Sequence, residues 1–340
     1  MLTDNKDLDT RCPCGSGKPF SFCCEPALAG RKPAATAEAL MRSRYTAFAL
    51  GAVDYLINTT AARKRHPQDA ELLAVVQIFL APTQLSTTAP MKLLARKHGF
   101  RAATMPGFTP AMIPALRIDY EEVNRRVNRI KDEVTRAAAL DIQFTVDGKD
   151  RWEVHFDLRH REGHASGGRF PTRGEAGNLP SGECYIVPYE GEREEISQSE
   201  GVLPVQMDDE LVLYRIARNK VVEVISQGRR SSGEARRIKD EPAYANLAEL
   251  GFGVLKDFGL GPVGVTLLDE KLGLHIAFGR SDHFGGAVGV KDFSSPEAVI
   301  HIDRIYIPET APRIGVDLVR LAYPDGGTLD LIREGRYMIF

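Results

Sequence analysis

Hydrophobic and polar positions follow two different periods along this chain. In TAEALMRSRYTAFALGAVDYLIN, residues 36–58, the apolar positions Leu40, Tyr45, Phe48 and Ala49, then Val53, Tyr55 and Leu56, fall at helical spacing. Gly51 and Asp54 interrupt the run, so two short helices are predicted. Residues 59–70 are polar and basic and read as a linker. From Glu71 the style changes. ELLAVVQIFLAP predicts a helix turn leading into a buried strand with VVQIFL as its core, and MKLLARKHGF a helix closed by Gly99. RAATMPG predicts a strand ending in a Pro-Gly turn. In IDYEEVNRRVNRIKDEVTRAAAL, Val123, Val127, Ile130, Val134 and Ala138 recur three or four apart with charges between them, an amphipathic helix. Strand and helix alternating in this way suggest an α/β unit with a parallel sheet.

Beyond Asp141 strands dominate: DIQFTV, WEVHFDL, ECYIVPY, LVLYRI, KVVEVI, VGVTLLD, LHIAFG and VIHIDRIYI, many of them separated by glycine-containing turns. AYANLAELGFGVLKDFG reads as the clearest helix of this part. The expected fold class is α+β, built on a mostly antiparallel sheet.

Composition narrows the class of function. A net charge of -2 gives no whole-protein electrostatic case for nucleic acid or an anionic membrane. No stretch approaches the roughly 20 apolar residues of a spanning helix, and the polar, acidic start Met1–Thr10 lacks the pattern of a signal peptide. Four of the five cysteines lie in one N-terminal stretch; only Cys184 is elsewhere. Such clustering favours metal ligation in a reducing compartment over a disulfide framework, hence a cytoplasmic location.

That stretch, RCPCGSGKPFSFCC, spaces Cys12, Cys14, Cys23 and Cys24 as four thiolate ligands for one structural zinc, with Gly15 and Gly17 relieving the turn. Its GSGK is not a phosphate loop: no strand precedes it, and Pro19 stands where a hydroxyl residue would hold magnesium. The segment resembles the SEC-C zinc-binding motif. With the following MRSRYTAF it looks like the start of a bacterial family that carries such a motif ahead of a nuclear-transport-factor-like fold, over roughly residues 11–60. The resemblance implies zinc and a protein partner for the knuckle.

A second constellation must be assembled from distant pieces. In IHIDRIYI, His301 and Asp303 share one face of a strand, roughly 7 Å apart at their bases. A buried aspartate beside a histidine on an apolar strand needs a compensating charge, and a cation is the simplest. His275 lies in the apolar strand of LGLHIAFGRSDHFGG, and Asp282 and His283 follow in its turn. Glu183 follows a Pro-Ser-Gly turn, and Glu249 sits at the expected helix end in LAELGFGV, where a carboxylate opposes the helix dipole. Three carboxylates and two histidines of this kind suit a pair of divalent ions, zinc, cobalt, manganese or iron.

GFRAATMPGFTPAMI, NLPSGE, NLAELGFGV, DEKLGLHIAFG and VIHID, in that order, resemble the thermophilic metallo-aminopeptidase family of the aminopeptidase T and S type, over about residues 70–340. The resemblance implies a hydrolase that removes N-terminal residues from short peptides. Its two ions would be bound at Glu183, Glu249, His275, His301 and Asp303, with Glu183 or Glu249 bridging the ions or serving as base. Asp282 stands seven residues after His275, where the family has a tyrosine ligand, and is the expected substitute. The organisation expected is a zinc knuckle over 1–30, a helical segment and linker over 31–69, a partial α/β domain over 70–140 and a metal-dependent catalytic domain over 141–340. Sheet edges in the last part offer a homodimer interface. Two other readings stay open. A ring-cleaving pyridinediol dioxygenase resembles the same fold, and His275, His301 and Asp303 supply the two histidines and one carboxylate of a mononuclear Fe(II) site. A non-catalytic zinc-binding adaptor carrying a degenerate enzyme domain is the third.

Overall fold

The computed structural model describes residues 11–14, 16–49, 52, 55, 77–84 and 86–340. The chain divides into two compact units, Met1–Val76 and Gln77–Phe340. In the first, a short 3-10 turn at Phe20–Phe22 and the helices Glu25–Leu28 and Ala37–Ala49 are described. Phe20, Cys12 and Cys24 make a small buried cluster there. The second predicted helix near Tyr55, the linker 59–70 and the helix turn at Glu71 lie outside the described residues, Tyr55 itself excepted.

The second unit holds three sheets, and the α+β class expected from the sequence is what the chain forms. A small parallel sheet orders Ile78–Thr83, Arg101–Pro106 and Ala176–Asn178, with the helix Thr88–His98 packed on it. That helix ends where expected, on Gly99 at φ 74°, a conformation that favours glycine. Its first strand departs from expectation. It lies at the sheet edge and exposes Ile78 and Leu80, so its apolar run does not mark a buried strand.

An eight-stranded antiparallel sheet runs in the order Lys220–Val224, Glu210–Ala217, Glu200–Met207, Asp150–Asp157, Ala139–Val146, Ile314–Ala322, Thr328–Arg333, Arg336–Tyr337. Alternation sets its core face: Leu140, Ile142, Phe144 and Val146 are buried while the residues between them are half-exposed. The third sheet, five-stranded and antiparallel, orders His301–Ile305, Leu274–Gly279, Leu247–Gly253, Glu183–Ile186 and His164–Ser166. One of its faces (Cys184, Ile186, Leu250, Phe252, Leu274, Ile276 and Phe278) joins the same hydrophobic core as the large sheet. Tyr214 against Phe278 at 5.3 Å and Phe144 against Tyr306 at 5.1 Å tie the two layers. The amphipathic helix forms as Tyr120–Arg136, capped by the Asp119 carboxylate, which accepts from the Glu121 and Glu122 amides. It buries Val123, Val127, Ile130 and Val134 and packs on the strands that begin at His164 and Glu183.

Two expectations fail in ways that matter for the site. AYANLAELGFGVLKDFG is not a helix: a 3-10 turn at Pro242–Ala245 leads into the fully buried strand Leu247–Gly253. Its glycines decide this, because the strand lies between two neighbours at close range. A Cβ at Gly253 would run into the Lys271 backbone, and one at Gly251 into the His275 ring. VGVTLLD, expected as a strand, turns into the short helix Thr266–Asp269, with Asp269 accepting from the Val263 and Gly264 amides. Among the described residues no helix is long and apolar enough to cross a membrane.

Candidate metal centre

The second face of the five-stranded sheet carries the polar constellation. Residues directly opposite in an antiparallel pair point to the same side. The register sets Glu183 against Gly253, Tyr185 and His275 against Gly251, Glu249 and Asp303 against Ala277, and His301 against Gly279. Four neighbouring strands thus send Glu183, Glu249, His275, His301 and Asp303 to one face. The positions between them are glycine or alanine, over which long side chains can lie.

The geometry is close. His301 Nε2 lies 2.9 Å from Glu249 Oε2 and 3.6 Å from Asp303 Oδ1. His275 Nε2 lies 3.6 Å from Glu249 Oε1 and 3.5 Å from Glu183 Oε2. Two groups of three ligands result, Glu183–Glu249–His275 and Glu249–His301–Asp303, with donor atoms within 4.8 Å of one another in each. Glu249 belongs to both. It sits mid-strand, so the helix-dipole argument for its placement is replaced by cross-strand pairing. Asp282 joins neither group. It takes the Arg280 guanidinium at 2.5 Å, which holds its carboxyl low despite the upward push of burial.

Electrostatics couple the carboxylates and imidazoles of the cluster tightly. Burial alone would raise the Glu249 carboxyl, but hydrogen bonds from His275 and His301 hold it well below the usual carboxylate range. Burial would lower His275, yet Glu249 and Glu183 lift it to about 9. His301 is raised in the same way, by Asp303 and Glu249. Its Nδ1 lies 2.7 Å from the Arg280 carbonyl. With Nδ1–H donated there, Nε2 points at the carboxylates; in the metal-free protein its proton bonds Glu249, and an ion bound there would take that proton's place, as at a metal-ligating imidazole. Glu183 Oε2, buried, has no hydrogen-bond partner among the described residues. These donors fit a divalent ion bound through oxygen and imidazole.

Lys271, wholly buried, was not legible as a site residue. Its Nζ donates to Glu183 Oε1 at 2.6 Å and to Glu270. The ammonium neutralises Glu183 from one side, the service a second metal ion would otherwise perform. Glu270, half-buried beside it, is raised to about 8 by desolvation.

The site opens on a cleft of about 830 Å³ lined by Glu183, Glu249, His301 and Asp303 together with Tyr185, His283 and Phe284. The aromatic rings form a continuous wall. Tyr185 lies 4.5 Å from Phe284, His283 3.9 Å from Phe284, and His283 5.2 Å from His301. Burial and the neighbouring His301 and Arg280 charges lower His283 to about 4, so its ring is neutral at pH 7. Tyr185 shares the strand parity of Glu183, a signal that could have found it. His283 is already a candidate from its place in the turn after His275, whereas Phe284 carries no signal that separates it from an ordinary turn residue.

In the first unit, the Cys12, Cys14, Cys23 and Cys24 sulfurs meet within 4.8 Å of one another. Cys14 Sγ is 3.5 Å from Cys23 Sγ, and Ser16 Oγ is 3.1 Å from the latter. Burial would raise the Cys14 thiol, but the hydroxyl and amide of Ser16 bring it down to about 6. The cluster has the composition and compactness of a tetrahedral thiolate site.

Fold and sites together describe two potential metal centres, one of thiolates and one of carboxylates and imidazoles, the second at the floor of a cleft. Comparison with known proteins gives each part its relatives. Residues 36–86 match the family model described as YchJ, middle NTF2-like domain. A UPF0225 protein of Corynebacterium efficiens is 58% identical over 53 residues, 16% of this chain and 41% of the relative. A UPF0225 protein of Geobacter sulfurreducens is 55% identical over 49 residues, 14% of this chain and 30% of the relative. One of Deinococcus radiodurans is 54% identical over 48 residues, 14% of this chain and 37% of the relative. The chain thus spans less than half the length of these curated relatives. Among solved structures, the 2,5-dihydroxypyridine dioxygenase of Pseudomonas putida KT2440 shares the fold, with a TM-score of 0.56 over 84% of this chain and 76% of that one, at 14% identity.

These findings correct the expected membership in the metallo-aminopeptidase family. The matching family and relatives are of the YchJ and UPF0225 type, and the solved fold neighbour is a dioxygenase. The hydrolase and metalloprotease reading, with its short peptide substrate, falls with it. The Lys271–Glu183 pair supplies a physical reason of the same sign, since it places a fixed cation beside the carboxylate that was to help hold a second ion.

Proposed function

We propose that residues 77–340 form a mononuclear metal enzyme that opens a planar, hydroxylated aromatic ring with dioxygen. The observation that carries this reading is one cleft whose floor is Glu249, His301 and Asp303 and whose wall is Tyr185, Phe284 and His283. The dioxygenase fold neighbour supports it.

Glu249, His301 and Asp303 would hold the ion, with His275 adjoining across Glu249. When bound, a divalent iron supplies the one-electron chemistry with dioxygen that a closed-shell aromatic ring cannot undergo on its own. The chain's own residues do the rest. Tyr185 and Phe284 offer flat faces against which a ring can stack. His283, neutral at pH 7, can accept a hydrogen bond from a ring hydroxyl and orient it. The Arg280 carbonyl keeps His301 in one tautomer, and Lys271 pairs with Glu183 through a hydrogen bond and fixes its carboxylate in place. In the overall change one ring carbon–carbon bond breaks, both atoms of dioxygen enter the product, and the ring supplies all four electrons, so no further reductant is needed. In the first unit, the four cysteines would hold one structural zinc.

The test is anaerobic loading with Fe(II), metal counting, and oxygen uptake with 2,5-dihydroxypyridine, catechol and hydroquinone. The expected result is one iron held outside the cysteine cluster and one dioxygen consumed per ring opened, both lost in His301→Ala. An iron-loaded protein that consumes no oxygen with any of these rings overturns the reading, as does tight binding of two ions in this unit.

A further inference from the structure

We infer that the cleft has a second recognition pole, on the helix Thr88–His98, that receives a carboxylate borne by the ligand. The inference deepens the functional reading above and rests on it for the identity of the ring. Thr88, Lys92 and Arg96 are four residues apart, so they form one stripe of that helix, and all three line the cleft. Met91 and Ala95, on the adjacent stripe, are buried and fix which way the helix turns. Among the described residues neither Lys92 nor Arg96 has a hydrogen-bond or ion-pair partner. Among the described residues Arg169, also in the lining, is engaged only by the exposed Glu121 at 3.5 Å, a contact too weakly held to keep it from another anion.

A half-buried ammonium beside an exposed guanidinium, with no direct ion pair among the described residues and only the more distant Glu183 charge to offset it, is an unfavourable arrangement. Burial and the Arg96 charge accordingly hold Lys92 below the ordinary lysine range. An anion placed between the two offsets the burial of Lys92 and the repulsion between the two cations. The opposite pole, Glu249 with Asp303, repels a carboxylate unless a metal covers it. A ring carrying hydroxyls and one carboxylate therefore has a single favoured orientation, hydroxyls toward His301 and carboxylate toward the helix. A neutral dihydroxy ring uses only one of the two poles. The ligand class assigned is thus a hydroxylated aromatic acid.

The experiment is calorimetric titration of the full-length protein, metal-free and Zn(II)-loaded, with 2,5-dihydroxybenzoate and with hydroquinone, which differ only in the carboxylate. Wild type should bind the acid at least about tenfold tighter, the worth of one charge-assisted contact. Lys92→Met with Arg96→Met should bring the two within about twofold, and Lys92→Arg should keep the preference. Circular dichroism checks that the variants fold, and the wild-type comparison stands without them. Equal affinity for the two rings in wild type, no binding of either, or a preference that survives the folded double variant each overturns the inference. The two readings fail separately. Loss of all metal binding with the acid preference intact sinks the metal centre alone, whereas iron-dependent oxygen uptake with hydroquinone and no acid preference sinks this pole alone.

Discussion

At the scale of single residues, charge placement decides more than charge count. Asp157, 1% exposed, accepts from Arg159 Nη2 at 2.7 Å and from the Gln198 amide at 3.0 Å. Burial alone would raise its carboxyl; the Arg159 and amide hydrogen bonds win and hold it below the ordinary value. Its contribution to stability is therefore complete above the unfolded-state value of about 3.9 and disappears as pH falls through the lower folded-state value. Asp157→Asn should cost about 2 kcal/mol at pH 7, measured by urea unfolding, and the gap to wild type should close as the titration is repeated at progressively lower pH. A gap that stays constant to pH 2 contradicts this account. The same kind of argument shows why some site residues were legible and others not. His301 and Asp303 announce themselves because two polar side chains two apart on an apolar strand share a face. Lys271 gives no such sign, since what makes it part of the site is Glu183, 88 residues earlier in the chain. Asp282 looked like a ligand by spacing and was claimed locally by Arg280.

At the scale of elements, local pattern served the helices better than the central strands. Tyr120–Arg136 and Thr88–His98 are readable because one face is apolar and the ends carry a cap or a glycine. The strand Leu247–Gly253 reads as a helix because a strand buried on both faces loses its alternation, and Leu247, Leu250 and Val254 then fall at helical spacing. Arg229–Asp240 gave no strong reading, being rich in arginine and serine with Gly233 in the middle. That glycine has a helical backbone and open space around its missing Cβ. Gly233→Ala should therefore stabilise the protein by about 0.5–1 kcal/mol, seen as a higher urea midpoint at unchanged slope. A lower midpoint would mean the helix is held by something other than its own propensity.

For the whole molecule, the two metal-ligand clusters belong to two separate compact units, Met1–Val76 and Gln77–Phe340. Each unit gathers all of its ligands from within itself. Replacing Cys12, Cys14, Cys23 and Cys24 by serine in the full chain should remove one zinc per molecule and leave the metal bound at Glu249, His301 and Asp303 in place, as elemental analysis would show. Joint loss of both metals would mean the units depend on each other to fold. The α+β class was readable from the sequence, because strand runs and amphipathic helices follow local periodicity. The order of strands was not: the eight-stranded sheet sets Ala139–Val146 beside Ile314–Ala322, a pairing between segments far apart in the chain.

Gly251 gives the site an unusual genetic signature. The imidazole of His275 rests in the volume where any other amino acid would place its first carbon. Gly261, only ten positions on, has nothing near its missing carbon and an ordinary backbone. In a saturation library selected for metal retention, codon 251 should return glycine alone while codon 261 drifts freely. Alanine recovered at 251 with full metal content would show that the ring has somewhere else to go.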